Sequence, residues 1–156
     1  MASKPQRIPD GFHGATPYLC CRDAARAVEF YRRAFGAIET LRLAEPDGRI
    51  GHAEIKIGDA VIMLSDEYPD FDAVSPQALG GTPVAIHVYV ADIDVLVRQA
   101  AAAGATVQRG PEDEFYGDRA ATLTDPFGHR WKFATHIEDV SGEEMQKRYD
   151  KLMNAH

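Results

Sequence analysis

The stretch GHAEIKIGDAVIML, residues 51–64, predicts a β-hairpin whose two faces differ in polarity. Gly58 and Asp59 form a two-residue turn signal between two runs of strand-type residues. Because strand side chains alternate between the faces of a sheet, a turn at this point sets the pairing along the hairpin. The apolar face, which we expect to pack on helices, pairs Ile57 with Ala60, Ile55 with Ile62, and Ala53 with Leu64. The other face carries His52, Glu54, Lys56, Val61, Met63 and Ser65.

A strand and a helix are predicted before this hairpin. Residues 16–21 are strand-like, and Asp23 occupies the position of a helix N-cap. The helix is predicted from Ala24 to Phe35, because its apolar residues recur at helical spacing, and Gly36 ends it. The order of elements is therefore strand, helix, hairpin.

The same order returns in the second half of the chain. It comprises a strand at residues 84–90, a helix that ends at Ala103 before Gly104, and a hairpin of strands at 120–124 and 130–134. Either Asp92 or Asp94 can cap this second helix. The repeat of the whole pattern indicates an internal duplication, and we expect the polar faces of the two copies to line a shared cleft.

These elements predict one α+β domain, residues 1–156, built from two copies of one module. Its parts are module one at about 12–66, a Pro- and Gly-containing linker at about 66–83, module two at about 84–136, and a C-terminal helix at 142–154. The final helix is predicted from Ser141 and Glu144, which have the spacing of a capping box.

Composition favours a globular protein that works on small molecules. Apolar residues make up 45% of the chain and charged residues 26%, with a net charge of −7. A negative surface argues against binding to nucleic acids or to anionic membranes. No apolar run is long enough for a signal peptide or a membrane span, and Cys20 and Cys21 are adjacent, so we expect a cytoplasmic protein with free thiols.

Several motifs resemble those of the vicinal oxygen chelate superfamily, which includes glyoxalase I, bleomycin-resistance proteins and extradiol dioxygenases. Within that superfamily the chain is most similar to the PhnB-like bacterial branch. The motifs are TPYL (16–19), AVEFY (27–31), AFGA (34–37), GHAEI (51–55), FYGDR (115–119) and DPFGHRW (125–131). The resemblance covers about residues 12–140.

The resemblance implies two βαβββ modules in a homodimer, with a curled mixed sheet around a cleft. Metal-dependent members place His, Glu, His and Glu around one divalent ion. The matching positions here are Thr16, Met63, Ala85 and Lys132. None of these residues is a usual ligand of a hard divalent ion, and Lys132 would add a positive charge. We therefore expect a cleft without a metal cofactor.

Seven residues are predicted to line the cleft because they lie on polar strand faces. They are Tyr18, His52, Glu54, Met63, His87, Tyr89 and Lys132. Glu54 and His87 are the candidates for acid–base catalysis. With His52 they also form an alternative, displaced metal set of two histidines and one carboxylate. The remaining histidines at positions 13, 129 and 136 are predicted to be surface or structural residues.

Two ion pairs are predicted. Glu54 and Lys132 should lie on facing strands of the cleft, because Glu54 pairs with Met63 and the positions of Met63 and Lys132 converge on one ion in the metal-dependent relatives. Arg119 is expected to pair with Asp125. Trp131 and Phe133 lie on the opposite face of the strand that carries Lys132, and we expect them to be buried in the core.

The sequence favours binding of a small organic molecule, aromatic or polar, in a metal-free cleft. The alternative is an enzyme, either a lyase or isomerase that uses Glu54 and His87 or a dioxygenase-type metalloenzyme with the displaced set. A scaffold protein without a small ligand is the third interpretation. No phosphate loop, dinucleotide fingerprint or nucleophile elbow is present in the sequence.

Overall fold

The structure, a computed structural model, describes residues 3–156. The chain divides into two compact units with their boundary between Gly81 and Thr82, which lies inside the segment predicted as a linker. We call the residues up to Gly81 the first module and the residues from Thr82 the second module.

The first module contains one helix and a four-stranded mixed sheet. Its elements are β1 (Tyr18–Cys20), α1 (Ala24–Phe35), β2 (Ile38–Ala44), β3 (Ile50–Ile57) and β4 (Ala60–Ser65). The strand order is β1-β4-β3-β2, in which β1 is parallel to β4 and the other neighbours are antiparallel. The hairpin β3–β4 therefore occupies the centre of the sheet.

Helix α1 begins and ends at the predicted residues. The Asp23 carboxylate accepts a hydrogen bond from the backbone N–H of Arg26 at 3.2 Å. Gly36 follows the helix with a φ of 68°, a left-handed conformation that glycine adopts without a Cβ clash. The inner face of α1 buries Ala27, Val28, Phe30, Tyr31, Ala34 and Phe35.

The predicted register of the hairpin β3–β4 is confirmed. Glu54 is the Cα partner of Met63, and the three predicted apolar pairs are all present. Ala53, Ile55, Ile57, Ile62 and Leu64 are buried, whereas Ala60, next to the turn, is exposed. On the other face Ser65 is buried, and its hydroxyl is satisfied by donating to the carbonyl of Asp66 at 2.9 Å.

The segment predicted as a linker contains short elements of its own. A single 3₁₀ turn spans Pro69–Phe71, and α2 spans Pro76–Leu79. Glu67, near the start of the segment, connects it to the residue before α1 and to Ser75, because its carboxylate accepts from Arg22 at 2.7 Å and from the Ser75 hydroxyl at 3.0 Å.

The second module repeats the topology of the first and adds a helix. Its elements are β5 (Ala85–Tyr89), α3 (Ile93–Ala103), β6 (Thr106–Asp113), β7 (Asp118–Thr124), β8 (Arg130–His136) and α4 (Gly142–Asn154). The strand order β5-β8-β7-β6 and the parallel pairing of β5 with β8 match the first sheet. The α+β class, the duplication and the C-terminal helix are thus confirmed.

The start of α3 shows which of the two candidate residues, Asp92 or Asp94, caps this helix. Asp92 caps α3 by accepting from the backbone N–H of Val95 at 3.1 Å. Asp94 instead forms a two-point ion pair with Arg119, with both N–O distances at 3.0 Å. The predicted pair of Arg119 with Asp125 is therefore wrong: Asp125 is occupied by donors of its own turn, including the backbone N–H of Phe127 at 2.8 Å.

Helix α4 matches its predicted bounds. The Ser141 hydroxyl accepts from the backbone N–H of Glu144 at 3.2 Å, as the capping box predicts. The helix is joined to the loop before β7 by Arg148, which donates to the carbonyl of Phe115 at 3.0 Å. Within residues 3–156, no helix combines the length and the apolar content that crossing a bilayer requires.

Candidate ligand-binding sites

Three predicted site residues form a hydrogen-bonded series on the polar face of the first module. Tyr18 Oη lies 2.7 Å from His52 Nδ1, and His52 Nε2 lies 2.8 Å from Glu54 Oε2. The strand order β1-β4-β3 explains their proximity, because Tyr18 and Glu54 are both Cα partners of Met63. The side chains of His52 and Glu54 are 23% and 19% exposed, whereas Tyr18 is 54% exposed. The phenol is therefore the accessible end of the series.

A second feature of the first module lies beside Met63. Thr16 and Met63 line a pocket of about 750 Å³ together with the N-terminal residues Ile8, Pro9, Phe12, His13 and Gly14. The sequence pattern placed His13 outside any site, and no local signal brings it here. Its position depends on the path of residues 8–14 along the sheet, which periodicity does not encode.

The other predicted residues lie on the polar face of the second sheet. His87 on β5 is the Cα partner of Lys132 on β8, and Lys132 is in turn the partner of Thr122 on β7. These three side chains and Tyr89 line a pocket of about 330 Å³. The rest of its lining consists of Arg109, Glu114, Tyr116, Asp118, Ala120 and Ala121.

Asp118 is a site residue that the sequence analysis missed. It is 3% exposed, and its two carboxylate oxygens contact different partners: Tyr89 Oη donates to Oδ2 at 2.7 Å, and His136 Nδ1 lies 2.8 Å from Oδ1. His136 Nε2 lies 2.8 Å from Oδ1 of Asp139. His136, which was predicted to be a surface or structural residue, therefore belongs to the Asp118 cluster.

These contacts set the protonation of the cluster. Burial raises the pKa of Asp118, but the hydrogen bonds from His136 and Tyr89 and the nearby imidazoles outweigh it, so the pKa lies below 3.8. The hydrogen bonds to Asp118 and Asp139 raise the pKa of His136 above 6.5. The same Asp118 carboxylate raises the pKa of Tyr89, and burial raises that of Tyr116. At neutral pH both phenols are therefore protonated.

The Asp118 cluster joins two cavities. His136 and Asp139 line a pocket of about 450 Å³ near the start of α4, and this pocket shares Tyr89, Tyr116 and Asp118 with the first one. Strand alternation could have indicated that Asp118 shares a face with Thr122. Its contact with His136 was not predicted, because the predicted hairpin strands, 120–124 and 130–134, do not reach either residue, whereas the observed pairing of β7 with β8 does.

The cluster predicts a pH dependence of stability. The raised pKa of His136 means that its contribution is fully present below pH 6.5 and is lost as the pH rises through the folded-state pKa. The lowered pKa of Asp118 means that its contribution is present above pH 3.8 and is lost on acidification below that value. Urea unfolding should therefore show that His136→Gln is less destabilising at about pH 8.5 than at about pH 5.5.

The matched control for this experiment is His13→Gln, which replaces an exposed histidine outside the cluster. The change in destabilisation between the two pH values should be larger for His136→Gln than for His13→Gln. An effect of His136→Gln that does not change with pH would contradict the assignment.

The positions that hold the metal in metal-dependent relatives do not suit a divalent ion here. They are Thr16, Met63, Ala85 and Lys132, which offer no carboxylate and no imidazole. Among residues 3–156, no three His, Cys, Asp or Glu side chains are grouped so that they could hold a metal ion. The alternative set of His52, Glu54 and His87 draws on both modules and stays a prediction, as does the Glu54–Lys132 pair.

Comparison with known proteins identifies the family. Residues 13–133 match the sequence profile of the Glyoxalase/Bleomycin resistance protein/Dioxygenase superfamily. A relative described as an uncharacterized protein of Mycobacterium bovis, Mb0911c, is 41% identical over 134 residues, which are 84% of this chain and 88% of that protein. The chain belongs to the glyoxalase/bleomycin resistance protein/dioxygenase superfamily.

Two solved structures have a similar fold. TioX from Micromonospora sp. ML1 aligns with a TM-score of 0.62 and 28% identity over 83% of this chain and 100% of TioX. A gene product from Arabidopsis thaliana aligns with a TM-score of 0.64 and 27% identity over 79% of this chain and 98% of that structure.

Proposed function

We propose that the second module binds a small aromatic molecule with an anionic group, and that it does so without a metal ion. The observation that carries this proposal is a pocket of about 330 Å³ that is lined by two phenols, an imidazole and a lysine. A cavity of this size lies at the lower end of the usual range for ligand pockets. It suits one ring or two fused rings better than an extended chain.

The aromatic part of the ligand is recognised by Tyr89 and Tyr116. The same pocket is lined by the small side chains of Ala120 and Thr122, which leave room for a flat ring. Tyr89 is held in place by its hydrogen bond to Asp118 and by a tilted contact with His87, whose ring centroid is 4.9 Å away. Ordered aromatic walls of this kind favour planar ligands.

The anionic part is recognised by Lys132. Two cationic side chains line the pocket, and Arg109 is already paired with Glu112 and Glu114 at 2.8 and 3.1 Å. Lys132 is exposed and has no carboxylate within ion-pair distance in the second module. The adjacent Thr122 hydroxyl can add a second donor, so an anionic group would gain a charge-assisted hydrogen bond here.

A pair of matched probes tests this proposal. We expect isothermal titration to show that 1-naphthoate binds more tightly than the neutral 1-naphthalenemethanol. Lys132→Met should weaken naphthoate binding about tenfold and leave the alcohol unchanged, because one charge-assisted hydrogen bond is lost. Ala120→Leu should weaken both probes, because it fills the space for the ring.

Lys151→Met is the control, since Lys151 is an exposed lysine of α4 outside the pocket lining. It should leave both affinities unchanged. No naphthoate binding at millimolar concentration, or an equal effect of Lys132→Met and Lys151→Met, would contradict the proposal.

An enzyme remains the second candidate function, and one observation favours it: His52 and Glu54 are already in hydrogen-bond contact at 2.8 Å. If metal analysis of the purified protein found stoichiometric iron, nickel, zinc or manganese bound through these side chains, the metalloenzyme would replace metal-free binding. An acid–base lyase or isomerase would need Glu54 or His87 to reach the ligand.

We also infer a cytoplasmic homodimer of the PhnB-like branch. Cys20 and Cys21 are not joined in a disulfide, and cysteines outside disulfides are typical of a reducing compartment. The edge strand β2 exposes Ile38, Leu41 and Leu43, which are 67%, 40% and 56% exposed, and a second copy of the chain could cover such a surface.

A further inference from the structure

The series Tyr18–His52–Glu54 in the first module has the geometry of an activated nucleophile. A nucleophile and its base are typically 2.6–3.2 Å apart, and a third group orients the base. The observed distances of 2.7 Å and 2.8 Å both fall in this range. The three side chains belong to β1 and β3, two strands that flank β4 in a hydrogen-bonded sheet, so the scaffold that holds them is rigid.

The carboxylate determines which nitrogen of the imidazole carries the proton. An ionised Glu54 can only accept a hydrogen bond, so His52 Nε2 must be the donor. In the neutral ring Nδ1 then has a free electron pair, and the phenol of Tyr18 donates to it. The phenol of Tyr18 thus donates to His52, which can accept its proton, and His52 in turn donates to the carboxylate of Glu54.

We propose that Tyr18 is a nucleophilic phenol that takes an acyl group from a carbonyl electrophile. This activity goes beyond ligand binding by the second module and does not depend on it, because the three residues lie in the other module.

Residues of this chain can accept and return the proton that the step releases. As Tyr18 Oη forms a bond to the carbonyl carbon, the phenolic proton moves to His52 Nδ1. The resulting imidazolium is stabilised by the Glu54 carboxylate. When the bond to the leaving group breaks, the proton on Nδ1 passes to that group, and the product is an aryl ester on Tyr18. Hydrolysis by water, with His52 again as the base, returns the free phenol.

The second module contains a natural contrast to Tyr18. Tyr89 is similarly exposed, at 61%, but its phenol donates directly to the buried carboxylate of Asp118. That contact raises the pKa of Tyr89, because a neighbouring negative charge disfavours the phenolate. The phenol of Tyr18 instead donates to an imidazole nitrogen, which can take up its proton. If exposure alone determined reactivity, the two phenols would react at equal rates. If the series Tyr18–His52–Glu54 acts as a proton relay, Tyr18 should react faster than Tyr89.

The test is acetylation by N-acetylimidazole, followed by peptide mapping with mass spectrometry. Tyr149 of α4, which is 46% exposed and has no hydrogen bond to its phenol among the described residues, serves as the internal reference. We expect Tyr18 to react at least about tenfold faster than Tyr149, since general-base assistance commonly contributes more than that. Tyr89 should react more slowly than Tyr149.

Two variants separate the relay from exposure. His52→Gln should reduce the rate at Tyr18 to that of Tyr149, and Glu54→Gln should reduce it in part while preserving the shape of the side chain. The rate at Tyr149 is the control in both proteins. Equal wild-type rates at Tyr18 and Tyr149 would overturn the proposal. So would a rate at Tyr18 that is unchanged in Glu54→Gln, the variant that decides the question if His52→Gln does not fold.

Discussion

Replacing Asp66 by alanine should lower the free energy of unfolding by about 4 kcal/mol. Asp66 is only 8% exposed and serves three backbone donors. Its Oδ1 accepts from the N–H groups of Asp23 and Ala24 at 3.1 and 3.0 Å, and its Oδ2 accepts from Ile50 at 2.7 Å. Without the carboxylate these donors lose their partner, and the positive end of α1 loses a stabilising negative charge.

Asp66→Asn refines this prediction. The amide has one acceptor oxygen and one N–H₂ group. Its oxygen can accept from the backbone N–H groups on one side, but its N–H₂ group faces backbone N–H donors on the other side and cannot accept from them. We expect a loss of about 2 kcal/mol, between alanine and wild type. Asp70→Ala, at an exposed aspartate of the same segment, is the control and should change stability by less than about 0.5 kcal/mol. Urea unfolding followed by circular dichroism measures all three, and equal effects of Asp66→Ala and Asp70→Ala would contradict the assigned role.

Replacing Asp125 by alanine should have an effect of similar size in the second module, about 4 kcal/mol. Asp125 is 5% exposed. Its Oδ1 accepts from the backbone of Phe127 and His129 at 2.8 and 3.0 Å, and its Oδ2 accepts from Trp131 Nε1 at 2.9 Å. The carboxylate thus closes the hairpin turn and fixes the orientation of the indole, which is fully buried.

A double-mutant cycle separates the turn from the indole. Trp131→Phe keeps an aromatic ring in the core but removes the N–H donor, so it should cost about 2 kcal/mol. In the Asp125→Ala background the same change should cost about 1 kcal/mol less, because the hydrogen bond is already lost. Asp59→Ala, in the exposed turn of the first hairpin, is the matched control. Strict additivity of the two changes would show that Asp125 does not act through Trp131.

Much of the fold could be predicted because its signals are local. The turn at Gly58 and Asp59 sets the register of the first hairpin, and every predicted pair is present. Capping residues set the bounds of α1 and α4 in the same way. Strands β2 and β6 were implied only by the resemblance, because both are edge strands with mostly exposed residues and lack a clear alternation of buried and exposed positions.

The candidate sites were predicted in part. Strand alternation correctly placed His52 and Glu54 on one face, and His87 and Lys132 on another. It did not predict that His52 contacts Tyr18, or that Asp118 is the buried centre of the second cluster. The partner of Arg119 was also not predictable from local sequence. Asp125, the carboxylate predicted because it is close in sequence, is not its partner, whereas Asp94 on α3 is.

The sequence by itself determined the duplicated module, the register of the first hairpin and the faces on which polar side chains lie. These features follow from turn chemistry and from the two-residue period of a strand, which act over a few residues. Only the tertiary structure decided which polar groups meet. Tyr89, Asp118 and His136 come from three strands, and Tyr89 and His136 both contact Asp118 because β8 lies between β5 and β7. Such contacts depend on strand order and on the burial of one carboxylate, which no local pattern encodes.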